Sequence, residues 1–247
     1  MKIQLDIFDV LESTNETAVA AANDGALEGT VIVAKRQEGG HGRMQRVWNS
    51  PEGGLWFTIL LRPKIDSQFI AQVTLLAGVA VAKGLRKAYC TDKICIKWPN
   101  DLLWDGKKVC GILSEMQLKE DGSVDYAIVG IGVNVGFKQE EFPEDVRKTA
   151  VVLNDISGMN LTCEEVLDKI LQEFVPLYES WQLSGSQEFL TQWQELNCTL
   201  GNVVNVKDND KVIFRGIAKN IDSEGALLVK ADNGEIRSYN FGEISIR

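Results

Sequence analysis

Gln37-Glu38-Gly39-Gly40-His41-Gly42-Arg43-Met44-Gln45-Arg46-Val47-Trp48-Asn49-Ser50-Pro51-Glu52-Gly53-Gly54 separates two apolar runs, residues 31–34 and 55–61. Both runs read as strands. The five glycines of the connecting stretch let its backbone turn tightly and bring amides close to a ligand. Arg43 and Arg46 supply fixed positive charge and forked donors suited to phosphate or carboxylate. Trp48 adds a flat apolar face. Loops of this length inside a compact domain are functional or disordered, and this composition points to a loop that folds over an anion.

Outward from the loop, residues 3–9 alternate like a strand, and Ser13, Thr14 or Asn15 can cap the alanine-rich helix that follows. One cap suffices, so three polar residues in a row also suggest ligand contact at a helix N-terminus. Residues 30–37 enter the loop as a strand ending in Gln37. After the loop, residues 68–89 read as a long, largely buried helix. A short strand over 93–98 then runs into Lys97-Trp98-Pro99-Asn100-Asp101, where proline breaks the ladder and presents a lysine, an asparagine and an aspartate together. The Asp105-Gly106 turn returns the chain as residues 107–116, with Lys108 near the start of an apolar strand and Gly111 three residues on. Glycine inside such a strand marks close approach by something else. In 124–135, Gly130 and Gly132 leave one strand face bare, as if a flat ligand lay across it, and Asn134 follows on that face. No third glycine or helix follows, so this is not a dinucleotide fingerprint.

Short helices are expected around 149–156 and 189–196, and a longer one from the Thr162–Glu165 capping box to about residue 181. From Cys198 the pattern becomes short strands (202–207, 211–221, 225–230, 234–241) with turns at Asn209-Asp210, Ser223–Gly225 and Asp232–Gly234. This pattern predicts a small β-barrel and a boundary that divides the chain into residues 1–197 and 198–247.

The 247 residues carry a net charge of −9, against a free nucleic-acid binder. No apolar run is long enough for a membrane span, and the N-terminus shows no signal-peptide pattern, which predicts a cytoplasmic protein. Five cysteines, Cys90, Cys95, Cys110, Cys163 and Cys198, lack any C-x-x-C pair and read as reduced, buried small residues.

Taken together, Ser13–Asn15, the loop, Lys97–Asp101, the Lys108-x-x-Gly111 strand, the Gly130-x-Gly132-x-Asn134 strand and the terminal barrel resemble, in order, the biotin–protein ligases. Their loop is Q-x-x-G-R-G-R-x-G-R-x-W. Here His41 replaces its first arginine and Gln45 its third glycine. The resemblance implies an α+β fold, with a mixed-sheet catalytic domain like that of class II aminoacyl-tRNA synthetases and a C-terminal SH3-like barrel. It implies ATP-dependent attachment of biotin to a lysine of a biotin carboxyl carrier domain, through biotinyl-5′-AMP. Because the sequence starts at the catalytic domain's first strand, no repressor activity is expected. By resemblance, Ser13, Thr14, Asn15, Gln37, Gly40, His41, Arg43, Lys108, Gly111 and Gly130 meet biotin, Gly111 and Gly130 leaving room for its rings. Arg43, Arg46, Trp48, Lys97, Asn100 and Asn134 meet ATP. Asp101, Asn100 and Asn134 hold Mg²⁺, directly or through water. Lys108, Arg43 and Asp101 carry the chemistry. The nearest competing readings are a lipoate ligase or octanoyltransferase, and a non-catalytic biotin-binding module. No nucleic-acid or membrane partner is expected, and exposed sheet edges leave a homodimer open.

Overall fold

In the computed structural model, residues 1–208, 211–240 and 243–246 are described, without the Glu243 side chain. The expected turn at Asn209-Asp210, and position 241 of the last expected strand, lie outside the described residues. Seven strands build the larger sheet: β1 (Gln4–Leu11), β2 (Thr30–Gln37), β3 (Leu55–Leu61), β4 (Ile94–Lys97), β5 (Asp101–Trp104), β6 (Lys107–Leu118) and β7 (Val124–Val133). Their order is β1-β2-β3-β7-β6-β5-β4. β1 runs parallel to β2 and the other neighbours are antiparallel, so the sheet is mixed.

β3 shows why the sheet needs cover on both faces: all seven of its residues are buried. Leu55, Phe57, Ile59 and Leu61 face the main core with helices α2 (Gln72–Ala88) and α4 (Cys163–Ser184). Leu60 points the other way, to Ala18 and Ala22 of α1 (Thr14–Asn23). Period-two alternation divides one strand between two cores, and each fully buried Leu, Ile or Phe contributes about 1.5–3 kcal/mol. The helix expected over 68–89 starts later, after a single 3₁₀ turn at Ser67–Phe69. Two smaller helices, α3 (Leu153–Ser157) and α5 (Gln187–Leu196), flank α4. α4 runs three residues past its expected end and stops at Gly185, which caps it with φ +78°.

The C-terminal strands β8 (Val203–Asp208), β9 (Lys211–Ile221), β10 (Leu227–Lys230), β11 (Ile236–Tyr239) and β12 (Glu243–Ile246) form a five-stranded antiparallel sheet. It is bent by bulges where β9 meets β8 and β10. The expected barrel closure is not seen among the described residues: β11 and β12 end the sheet on opposite sides, and each pairs inward only. This sheet shares the main core through Val204, Val206, Ala218, Leu227 and Ile244.

The cysteines correct an expectation. All five are free, but only Cys110 is buried, and Cys90 is exposed because it turns out of α2 with φ +48°. Among the described residues no helix is long and apolar enough to cross a membrane.

Candidate active site

A cavity of about 630 Å³ opens where the β2–β3 loop crosses the faces of β6 and β7. Every candidate residue except Gly40 lines it. Gly40 sits beneath the loop instead: a side chain there would strike Ser50 Oγ and the Trp48 carbonyl, and its own carbonyl accepts from the Trp48 amide.

The cavity floor begins at α1. Ser13 takes the capping role, accepting from the Glu16 amide, while Thr14 and Asn15 are buried and turned to other work. Gln37 Oε1 accepts from the Thr14 amide at 2.8 Å and lies 3.0 Å from its hydroxyl, and Gln37 Nε2 donates to Ser50 Oγ at 2.9 Å. Thr58 Oγ1 lies 2.8 Å from Thr14 Oγ1 and 2.7 Å from Asn15 Oδ1. A buried hydroxyl in an apolar strand needs such partners. As the lone polar residue of LWFTILL, Thr58 was the signal that sequence reading missed.

The bare glycine face is covered from within the chain. A Cβ at Gly130 would meet Asn15 Oδ1 at 2.1 Å. Cβ atoms on the paired Gly111 and Gly132 would meet the Trp48 indole at 3.0 and 2.5 Å. Trp48 of the loop therefore rests on two side-chain-free backbones, with the Lys108 ammonium 4.9 Å from its ring centre.

Lys108 reaches this face through a bulge. Leu102 pairs with Cys110 but Leu103 pairs with Lys108, so Val109 is extra. Without it, positions 108 and 111 would point to opposite sides of the sheet. Lys108 Nζ pairs with Asp101 Oδ1 at 2.5 Å, and Lys97 stands 4.0 Å from the other carboxylate oxygen. Asn100 Nδ2 donates to the Ile112 carbonyl at 2.7 Å, which aims Oδ1 at Arg43 Nη1, 3.3 Å away. Arg43 belongs to a 3₁₀ turn whose Met44, like Gln45, has φ +57°. Gln45 thus holds the left-handed backbone that the family gives to glycine, and the turn survives the substitution at a cost of about 1–2 kcal/mol. His41 is fixed by Nδ1 against the Gly39 carbonyl at 3.2 Å. Next to Lys108, burial pushes the Cys110 thiol well up, so it is no thiolate nucleophile.

The Biotin/lipoate A/B protein ligase family matches residues 7–134, just over half of the chain, and the Biotin protein ligase C terminal domain matches 199–247. The chain belongs to the biotin/lipoate A/B protein ligase family. Among its relatives, the bifunctional ligase/repressor BirA of Bacillus subtilis is 40% identical over 94% of this chain and 71% of that protein. The biotin–[acetyl-CoA-carboxylase] ligase of Paracoccus denitrificans is 31% identical over 90% of this chain and 92% of that one. The biotin protein ligase from Aquifex aeolicus in complex with biotin and ATP superposes with a TM-score of 0.84 at 32% identity, covering 99% of this chain and 98% of that one.

The three residues expected to hold Mg²⁺ do not fit a protein-built metal site in this ligase. Asp101 is engaged by Lys108 and Asn100 Oδ1 by Arg43. Asn134 spends its amino group on the carbonyls of Lys108 and Val151, and only its buried Oδ1 lacks a partner. Among the described residues no three His, Cys, Asp or Glu side chains gather. The stretch after β7 also walls the cavity, with Phe142, Pro143, Asp145, Val146, Thr149 and Ala150.

Proposed function

We propose that this ligase joins biotin to a lysine of a biotin carboxyl carrier domain through biotinyl-5′-AMP, with MgATP as co-substrate. The observation that carries this is Lys108, held between the Asp101 carboxylate and the Trp48 ring on the wall of a cavity whose floor is a buried amide–hydroxyl network. Biotin has matching ends, a cyclic urea for the floor and a carboxylate for the cation. In the first step a carboxylate oxygen attacks the α-phosphorus and pyrophosphate leaves. A carboxylate is a weak nucleophile, so positioning and neutralisation by Lys108, with Arg43 and Arg46 at the phosphates, do most of the work. The unpartnered Asn134 Oδ1 suits an amino donor such as that of adenine. In the second step the acceptor amine attacks the acyl carbon and AMP leaves. That amine must first lose a proton, at a cost of about 5 kcal/mol at pH 7, and this reading assigns Asp101 to orient or deprotonate it.

The same reading treats residues 1–197 as the catalytic domain and 198–247 as a smaller SH3-like domain, supported by the separate family matches on either side of residue 198. The test is ATP–pyrophosphate exchange followed by transfer to a carrier domain. Exchange that depends on biotin and is not supported by lipoate or octanoate is expected. Exchange with those acids instead would place the chain on the lipoate side of its family, and binding of biotin without exchange would make it a sensor.

A further inference from the structure

We infer that Cys95 and Cys198 are a peroxide-reactive thiol pair, and that their disulfide staples the strand leading into Lys97–Asp101 to the start of the C-terminal sheet. Cys95 lies in β4, an edge strand of the larger sheet, and Cys198 follows α5, just before β8. The two segments meet in a short parallel bridge. Ile96 pairs with Asn197, and the Cys198 amide donates to the Ile96 carbonyl at 2.9 Å. Side chains alternate along extended backbone, so Cys95 and Cys198, each one step from the bridged pair, leave it on the same face. Their thiols hydrogen-bond there, and Cys198 Sγ also lies 3.5 Å from the Ile96 carbonyl oxygen. Both side chains are partly exposed. The other cysteines are placed differently: Cys110 is buried, Cys163 turns to the Gly53 carbonyl at 3.5 Å, and Cys90 stands exposed after α2.

The two thiols are unequal. The Cys198 S–H, donating to Cys95 Sγ, holds the Cys95 pKa below its ordinary value against burial, and the charge of Arg86, whose Nε donates to the Ile94 carbonyl at 2.8 Å, pulls the same way. That shared hydrogen bond, burial and the charge on Cys95 push Cys198 far up. Cys95 is therefore the thiolate that attacks, and Cys198 the thiol that resolves. The Cys95 thiolate takes one oxygen from hydrogen peroxide and becomes a sulfenic acid, and the other oxygen leaves as hydroxide. Cys198 sulfur then attacks Cys95 sulfur, and the sulfenic hydroxyl leaves as water with the Cys198 proton. The two sulfurs lose two electrons in all, and the peroxide gains them. Closing the bond brings the sulfurs to about 2.05 Å, and Cys198, which belongs to no helix or strand, is the partner free to shift. The bond would cross a seam that matters to the site. Lys97, two residues beyond Cys95, lines the cavity, and Thr199, next to Cys198, accepts from the Trp98 amide at 2.9 Å.

Peroxide treatment of the full chain carrying Cys90→Ser, which removes the exposed thiol that would join two molecules, tests the inference. After hydrogen peroxide, alkylation of free thiols and digestion without reductant, mass spectrometry should find one cross-linked peptide pair, joining Cys95 to Cys198. Because the bond closes a loop of about 100 residues, the melting temperature should rise by about 5–15 °C and fall back on adding dithiothreitol. With Cys198→Ser added, dimedone should label Cys95 as a sulfenic acid; with Cys95→Ser added instead, Cys198 should stay unlabelled. If a serine variant does not fold, the peptide map and the melting shift decide. Both thiols still alkylated after peroxide, a bond between any other two cysteines, an unchanged melting temperature in the cross-linked protein, or dimedone on Cys198 overturns the inference. The ligase reading stands under each of these outcomes, because none of them uses its substrates.

Discussion

Lys108 and Arg43 divide the work at the scale of single residues. Lys108 is the cation shared between Asp101 and whatever anion enters, and its side chain is partly exposed on the cavity wall. Lys108→Ala should lower biotin-dependent pyrophosphate exchange by about 100-fold or more while the melting temperature moves by no more than a few degrees. Normal exchange in that variant would remove Lys108 from the chemistry. Arg43 bridges the loop to Asn100 across the cavity mouth. Arg43→Gly should release the adenylate roughly ten- to a hundredfold faster, seen as label appearing on lysines of a bystander protein. Both residues were legible as candidates because their types are chemically restrictive, but the bulge that turns Lys108 to the cavity was not. The glycines were legible only as bare positions. What fills the space above them comes from Trp48 and Asn15, far along the chain, and spacing says nothing about which side chain folds back.

At the scale of elements, α2 and α4 are clamped by one carboxylate. Glu173 of α4, its side chain 10% exposed, pairs with Lys83 at 2.9 Å and with Lys87. Burial raises its carboxyl pKa, but the two lysines outweigh burial and the net shift is downward from 4.5. Its folded pKa is thus below its unfolded one, so its contribution is full above the ordinary carboxylate range and is lost as pH falls through the folded value. Glu173→Gln should cost about 1 kcal/mol at pH 7, measured by urea melts, with the gap to the parent closing as pH drops below about 4. A gap that stays constant with pH would mean that the pair adds nothing. Strands and helices with one clear period were legible to within a few residues. The helix start at Gln72 was not, because no side-chain cap marks it, whereas α4 ends at the glycine cap Gly185, a signal that the expected end near 181 passed over. The stretch from Phe142 to Ala150 walls the cavity because β7 delivers it to the mouth.

Across the whole molecule, the two sheets meet at Trp98. Its amide donates to Thr199 Oγ1 at 2.9 Å and its indole Nε1 to the Gly225 carbonyl at 3.1 Å. Gln72 adds Nε2 to the Ser223 carbonyl while its Oε1 accepts from Trp181. Ile244 of β12 reaches the cavity wall. Shared core and shared site argue for one cooperative unfolding transition. Trp98→Phe, which strands the Gly225 carbonyl, should lower that single transition by about 2–6 °C in calorimetry; a split into two transitions would refute the shared core. The turn chemistry of the C-terminal strands was legible, and the seam was not, because the Lys97–Asp101 pattern says nothing of which carbonyl the Trp98 indole meets.

The indole laid across Gly111 and Gly132 also gives the ligase a built-in optical gauge. Of six tryptophans, Trp48 is the one stacked beneath the Lys108 ammonium. An incoming carboxylate or phosphate that draws this cation away must change the electric field across the ring, and with it the colour and yield of its emission. Titrating biotin and then ATP should therefore shift the intrinsic fluorescence in two stages, and Trp48→Phe should silence the response while the other five emitters report no change.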